Sequence, residues 1–160
     1  MTGSEMPTPL PGWPPRTIAV LVTVDDSPHA IPVSAPVRAG DHSILLSLHR
    51  TRDSLGRLRA RPQVALAILA EGNVAFTARG TARVVDEPMT DAPDYAAVEI
   101  DVTEVDDHRQ EAFTVEAGVD RKWIDESEKQ ALGRRVSTLQ QLAAAHGSPF
   151  GRRIRPPGRT

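Results

Sequence analysis

No cysteine occurs among the 160 residues, which excludes disulfides, thiolate zinc sites and cysteine nucleophiles and is compatible with a reducing cytosol. No apolar run approaches the roughly 20 residues that span a bilayer, and the proline-rich start lacks the basic and apolar stretches of an export signal. The expectation is a cytoplasmic protein with no membrane partner. Aromatic residues are few, three Phe, two Trp and one Tyr, and the net charge is −2 with a pI near 6.2. Both argue against a nucleic-acid partner, which would need stacking platforms and a basic surface. Lysine is nearly absent, Lys122 and Lys129 standing against 17 arginines; the bias reads as genomic composition and lowers the weight of any single arginine. Catalytic signatures are missing too: there is no G-x-S-x-G, G-x-G-x-x-G or Walker lysine motif. The five histidines, at 29, 42, 49, 108 and 146, show no metal-ligand spacing. Glu104 with Asp106-Asp107-His108 reads as a solvated turn.

What the chain does have is a stretch from Ser43 to Pro62 in which an apolar strand runs into an arginine-rich helix. Ile44, Leu46 and Leu48 alternate with Ser43, Leu45 and Ser47, the period of a strand. Thr51 or Asp53 can then cap a helix with Leu55 and Leu58 on its buried side, and Pro62 stops it. Five arginines, at 50, 52, 57, 59 and 61, surround the polar side. Such a charge run is commonly a solvated face. It also suits an anion, because the free N–H groups of a helical first turn and the guanidinium forks of Arg50 and Arg52 can grip a phosphate together.

In chain order, five prolines between positions 7 and 15 make residues 1–15 an expected flexible arm on which Trp13 can dock. Residues 16–147 are the expected domain and 148–160 a basic mobile tail. Thr17 to Val24 is apolar at nearly every position, as for a strand buried on both faces or inside a barrel. His29 to Val37 follows as an edge or bulged strand because Pro32 and Pro36 remove two donors. Further strands are expected at Val64 to Leu69, at Val74 to Ala78 across a Glu71-Gly72-Asn73 turn and continuing to Val85 past Gly80, at Val98 to Val102, and at Ala112 to Val115. Asp125 and Glu128 form a capping pattern for a C-terminal helix with Leu132, Val136, Leu139, Leu142 and Ala143 as its stripe. The fold class expected is mainly β, a six- to seven-stranded antiparallel split barrel with a short helix between the third and fourth strands and a C-terminal helix. The scarcity of large side chains to plug a barrel points to a partner subunit across one face.

The order of these segments, TVDDSPHAIPV, then SLHRTRDSLGRLRARPQVALAIL, then FTARGTARVV with an acidic loop and a later Trp123, resembles the pyridoxamine 5'-phosphate oxidase-like family of flavin-binding split barrels. The resemblance runs from about residue 17 to residue 85 and implies a homodimer with flavin sites between subunits. It implies that Pro32, Val33 and Ser34 lie along the isoalloxazine ring. Ser47, Leu48, His49, Arg50 and Thr51 would reach the ribityl chain and phosphate, Arg52 and Ser54 would complete the phosphate site, and Trp123 would neighbour the flavin. Many members carry a lysine where this chain has Ser54, and the following Asn-Leu pair is here Arg57-Leu58. The cofactor implied is FMN, or the deazaflavin coenzyme used by one branch, and the activity a flavin-dependent oxidoreductase acting on a small molecule. A non-catalytic flavin- or ligand-binding dimer is the alternative, with a structural protein that has lost the cofactor behind it. Neither the substrate nor any catalytic side chain is legible.

Overall fold

The fold is that of a computed structural model, which describes residues 7–147. The expected tail at 148–160 and the first six residues of the expected arm lie outside them. Seven strands form one antiparallel sheet: β1 (Ile18–Val24), β2 (Pro28–Ser34), β3 (Val37–Gly40), β4 (Ser43–His49), β5 (Gln63–Ala70), β6 (Val74–Asp86) and β7 (Tyr95–Asp107). Helix α1 (Asp53–Ala60) links β4 to β5, and α2 (Glu126–Gly147) follows β7.

The sheet order is β2-β1-β5-β6-β7-β4-β3. The segment expected as one strand from His29 to Val37 is therefore two, and they lie on opposite edges. Ala35, with φ 52°, and the buried Pro36 make the corner between them. Only two residues join Ser34 to Val37, a reach of about 11 Å at most, so the two edges must face each other. The sheet curls almost shut without a hydrogen-bonded seam, which is a split barrel. Ala35 N–H to Thr17 C=O at 2.8 Å fixes the corner.

Inside the barrel, Ile44, Leu46 and Leu48 of β4 meet Leu21, Leu66, Ile68, Phe76, Val98 and Ile100, with Leu55 and Leu58 of α1 closing one end. Leu45, on the other face of β4, packs under α2 with Leu139, Met89 and Ala97. β4 is thus apolar on both faces. Of the two alternatives for β1, the barrel strand is the one that forms: Ala19, Leu21 and Thr23 point inward, while Val20 and Val24 remain 41% and 36% exposed. A continuous apolar run therefore reflects a barrel wall whose outer side is apolar as well.

β6 continues through Asp86, as the pattern past Gly80 suggests. A Cβ at Gly80 would stand 2.0 Å from the Asp101 carbonyl oxygen, so the close approach of β7 requires glycine there. The expected strand at Ala112 to Val115 does not form. Residues 108–125 carry no regular structure before α2, and Val115 is tied instead to Asn73 by its N–H and its C=O.

Residues 7–15 have no regular structure either, as their prolines require, yet the arm is seated. Leu10 is 3% exposed in the barrel core. Its N–H donates to Asp41 C=O at 2.8 Å, and Arg38 donates to its carbonyl. Trp13 packs against Phe76 with ring centroids 5.8 Å apart and donates Nε1–H to Pro36 C=O at 2.8 Å. Proline removes backbone donors; it does not stop neighbouring apolar side chains from finding a core.

Candidate functional site

The arginine corner is built where β4 ends. His49 pairs with Tyr95 of β7, and Arg50 N–H donates to Asp94 C=O at 2.8 Å, so the chain leaves the sheet at a fixed angle. The expected caps are otherwise engaged. Thr51 directs its N–H and its hydroxyl at His49 Nδ1, at 3.2 and 2.7 Å, and Asp53 already lies inside the first turn. Arg52 occupies the N-cap, and no side chain caps the helix. Helix α1 thus presents its amino end with neither of its usual capping groups. The His49 ring itself stands edge-on to Tyr95, centroids 5.1 Å apart.

A groove of about 500 Å³ runs along this corner between α1 and the β1–β2 turn, lined by all five arginines. Most of them have partners. Glu87 holds both Arg50, at 3.5 Å, and Arg59. Arg57 Nε donates to the buried Thr23 hydroxyl at 2.9 Å, and Arg61 reaches Asp26 at 3.8 Å and the Asp25 carbonyl. The Asp25 carboxyl is held below its ordinary range, first by the Ser27 N–H and then by the His29 ring. Arg52 is the exception: it is exposed and has no side-chain partner among the described residues. Beside it Ser54 is 2% exposed, and its hydroxyl finds no partner there either. Arg52, Ser54 and the uncapped helix start, more than Arg50 and Thr51, are free to receive an anion. Arg59 and Arg61 line the same groove while remaining exposed.

The other residues singled out by sequence lie elsewhere. Ser47 is half-buried opposite Ala97 and Leu48 is buried opposite Ala96, inside the sheet. On β2, Pro32 is exposed opposite Val20, Val33 is buried at 4%, and Ser34 pairs with Ile18. Ser34 and Trp123 do come together, through Arg121, whose Nη1 donates to the Ser34 hydroxyl at 3.1 Å and whose guanidinium lies 5.3 Å from the Trp123 ring centre. Burial pushes the Arg121 pKa down against a smaller opposing pull from Asp120. This second cluster sits at the Ile18 end of β1, whereas the arginine groove touches Thr23 and Asp25 at the other. The ends are about 17 Å apart at some 3.3 Å per strand residue.

Arg121 and Glu87 escaped the sequence reading. Nothing in the local sequence separates Arg121 from sixteen other arginines, and Glu87 was visible only as part of an acidic loop. Away from both clusters, the expected acidic turn is instead the end of β7, where pairing with β6 holds it extended; Arg79 bridges Glu104 and Asp106, and Arg109 holds the Asp107 carboxyl down to about 2. Among the described residues no group of three or more His, Asp or Glu is placed to hold a metal, and no helix is long and apolar enough to cross a membrane.

No protein-family model and no curated protein matches the sequence. Solved structures do match. One is a Clostridium acetobutylicum protein described as related to general stress protein 26 of B. subtilis and of the pyridoxinephosphate oxidase family, with a TM-score of 0.45 and 15% identity over 53% of this chain and 74% of the other. An FAD-binding protein from Mesorhizobium loti gives 0.46 and 13% over 56% and 83%. A heme binding protein from Mycobacterium smegmatis gives 0.44 and 15% over 55% and 47%. Structures of pyridoxinephosphate oxidase-family and general stress protein 26 proteins, the family its motifs resemble, are thus among those to which this chain is similar.

Proposed function

We propose that this chain binds a phosphorylated flavin and works as a flavin-dependent oxidoreductase on a small molecule, with FMN as the cofactor. The observation that carries the reading is the start of α1: an unpaired Arg52, an uncapped helix end and a buried, partnerless Ser54 hydroxyl beside one another. These are a phosphate's partners, a guanidinium fork, free N–H groups and a hydroxyl donor. The lysine that many family members carry at position 54 is replaced by a group that donates one hydrogen bond and no charge. The charge then falls to Arg52. The flavin would supply the redox chemistry; the chain's own residues hold and orient it. Absence of cysteine is compatible with cytoplasmic residence. The deazaflavin coenzyme is the second reading, favoured by a groove that continues past Arg52 along Arg57 and Arg61. A non-catalytic ligand-binding dimer would share the same corner and lack turnover.

A homodimer belongs to this reading. Val20, Val24 and Leu69 are exposed on the outer face of β1 and β5, where a second copy would cover them. A second copy could also bring its Ser34–Trp123 end to the arginine corner, which one chain keeps about 17 Å away. Light scattering should give twice the 17.3 kDa chain mass; a monomer at micromolar concentration would overturn the shared site.

The test of the phosphate corner is titration of FMN and riboflavin into apoprotein. Wild type should prefer FMN, and Arg52→Ala should lose most of that preference, about ten- to a hundredfold for one charge-assisted contact. Equal affinities in wild type would overturn the corner as a phosphate site. Tight binding of the deazaflavin coenzyme but not of FMN would select the second reading.

A further inference from the structure

A second cleft, of about 400 Å³, lies between the segment around Arg121, the Ala35 corner and the middle of α2. It plays no part in the arginine corner. Arg16, Arg121 and Lys129 border it, and none of them makes an ion pair among the described residues. Two carboxylates, Asp120 and Glu126, also line it; Asp120 accepts the backbone N–H of Arg121 at 2.8 Å, and neither forms an ion pair with the three cations among the described residues. The Arg121 guanidinium is half-buried. One amino group donates to Ser34, and the other, Nη2, is closed off from bulk water with no acceptor among the described residues. A neutral hydroxyl answers one of its hydrogen bonds, and its charge is met only by the weak pull of Asp120, with no carboxylate in ion-pair contact among the described residues.

The walls of the cleft are apolar where they face that cation. Trp123 covers it, and Leu132 and Val136 rise from α2. Gly133 stands between them in mid-helix, where glycine is among the poorest residues. A Cβ built there meets nothing within 4 Å, so no packing contact requires the glycine. What its missing side chain provides is open space along the helix wall of the cleft.

We propose that this cleft binds a small organic carboxylate carried on a planar apolar body, such as an aromatic acid. The planar guanidinium of Arg121 matches a carboxylate in shape and charge. The apolar body then lies between Trp123 and the Gly133–Val136 face of α2, with Lys129 at the rim. The cleft is complete within one chain and needs neither a flavin nor Arg52, so benzoate binding to the flavin-free protein stands or falls separately from the proposed cofactor corner, even where a dimer brings the two ends together.

The experiment is titration of the full-length, ¹⁵N-labelled protein with benzoate and, as the uncharged isostere, benzamide. The amide of Gly133 and the indole N–H of Trp123 are followed by NMR. Benzoate should shift both signals in a saturable way, with benzamide about tenfold weaker for want of the charge-assisted contact. Arg121→Ala should erase that difference and Arg121→Lys restore part of it. Gly133→Leu, which fills the cleft from an exposed helix face without touching any charge, should abolish binding of both compounds. Arg134→Ala, an exposed cation on the same helix outside the cleft, should leave both affinities unchanged. Absence of any saturable shift at millimolar benzoate, equal affinity for the two compounds in wild type, or undiminished binding in Gly133→Leu would each overturn the proposal.

Discussion

At the Thr23–His29 end of β1 and β2 the cations are many, exposed and mostly neutralised; at the Ile18–Ser34 end a single guanidinium is half-buried beside a tryptophan and has no carboxylate in ion-pair contact among the described residues. At the first end five arginines line one groove, yet Glu87, Asp25 and Asp26 share it with them. Counting arginines would rank that end far ahead as an anion site. Counting cations without an ion pair brings the two close: Arg52 and Arg57, the latter on the neutral Thr23 hydroxyl, at the first end, and Arg16, Arg121 and Lys129 at the second, among the described residues. Surrounding dielectric then separates them: exposed pairs are screened and worth little, whereas a cation shielded from water interacts strongly with whatever acceptor reaches it.

The largest expected effect tests how each end is held in place. Trp13 braces the Pro36 corner next to the cleft through the Phe76 contact and its Nε1–H bond. Trp13→Ala should cost about 2–3 kcal/mol in urea denaturation, the loss of a half-buried aromatic and its hydrogen bond. At the other end, Arg61→Ala removes only an exposed contact to Asp26 and a backbone carbonyl and should change stability by less than about 0.5 kcal/mol. Similar losses in the two variants would show that the arm is not the brace we describe.

A smaller effect concerns charge compensation. Glu87 occupies Arg50 and Arg59 at once. Glu87→Gln should therefore strengthen binding of inorganic phosphate to the corner by roughly three- to tenfold, the size of one partly exposed ion pair. Benzoate at the cleft should be indifferent to the change. Unaltered phosphate affinity would mean that Arg50 and Arg59 do not share the ligand's field with Arg52.

The smallest effect is on pH. The Asp25 carboxyl is exposed, and its pKa in the folded chain lies below the ordinary 3.8. The folded state therefore holds fewer protons than the unfolded state between those two values. The stabilisation is present in full above the unfolded value and is lost as pH falls through the lowered one. Asp25→Asn should lose that small stabilisation at neutral pH and flatten the acid limb of the stability curve, so that variant and wild type converge below about pH 4. A neutral-pH loss as large as that of Trp13→Ala would refute the solvated view of this end.

Much of this architecture is local and so could be read in one dimension. The alternation at Ser43 to Leu48, the Leu55–Leu58 spacing, Pro62 as a stop, and Asp125 as the cap of α2, where it accepts the Ser127 N–H at 2.9 Å, all depend on neighbours a few residues away. Gly80 is different: its place in a strand pattern marks it, but its need for a bare backbone comes from the Asp101 carbonyl of β7. The site was legible only as a region. Arg52 and Ser54 fall within the residues expected at a phosphate, but that Thr51 turns to His49 and Arg50 to Glu87 depends on β7 and on the loop after β6.

The amino-acid order by itself determined most of the strands and both helices, because side-chain period and capping act within a turn or a pleat; it did not settle Ala112 to Val115, which pairs with no strand. Tertiary structure alone decided that one expected strand becomes the two opposite edges of the sheet, through the Ala35–Pro36 corner. It alone seated a proline-rich arm by Leu10 and Trp13. It alone decided which of the chemically identical arginines are paired and which, Arg52 and Arg121 among them, make no ion pair among the described residues, because no local pattern encodes a contact made 87 residues away.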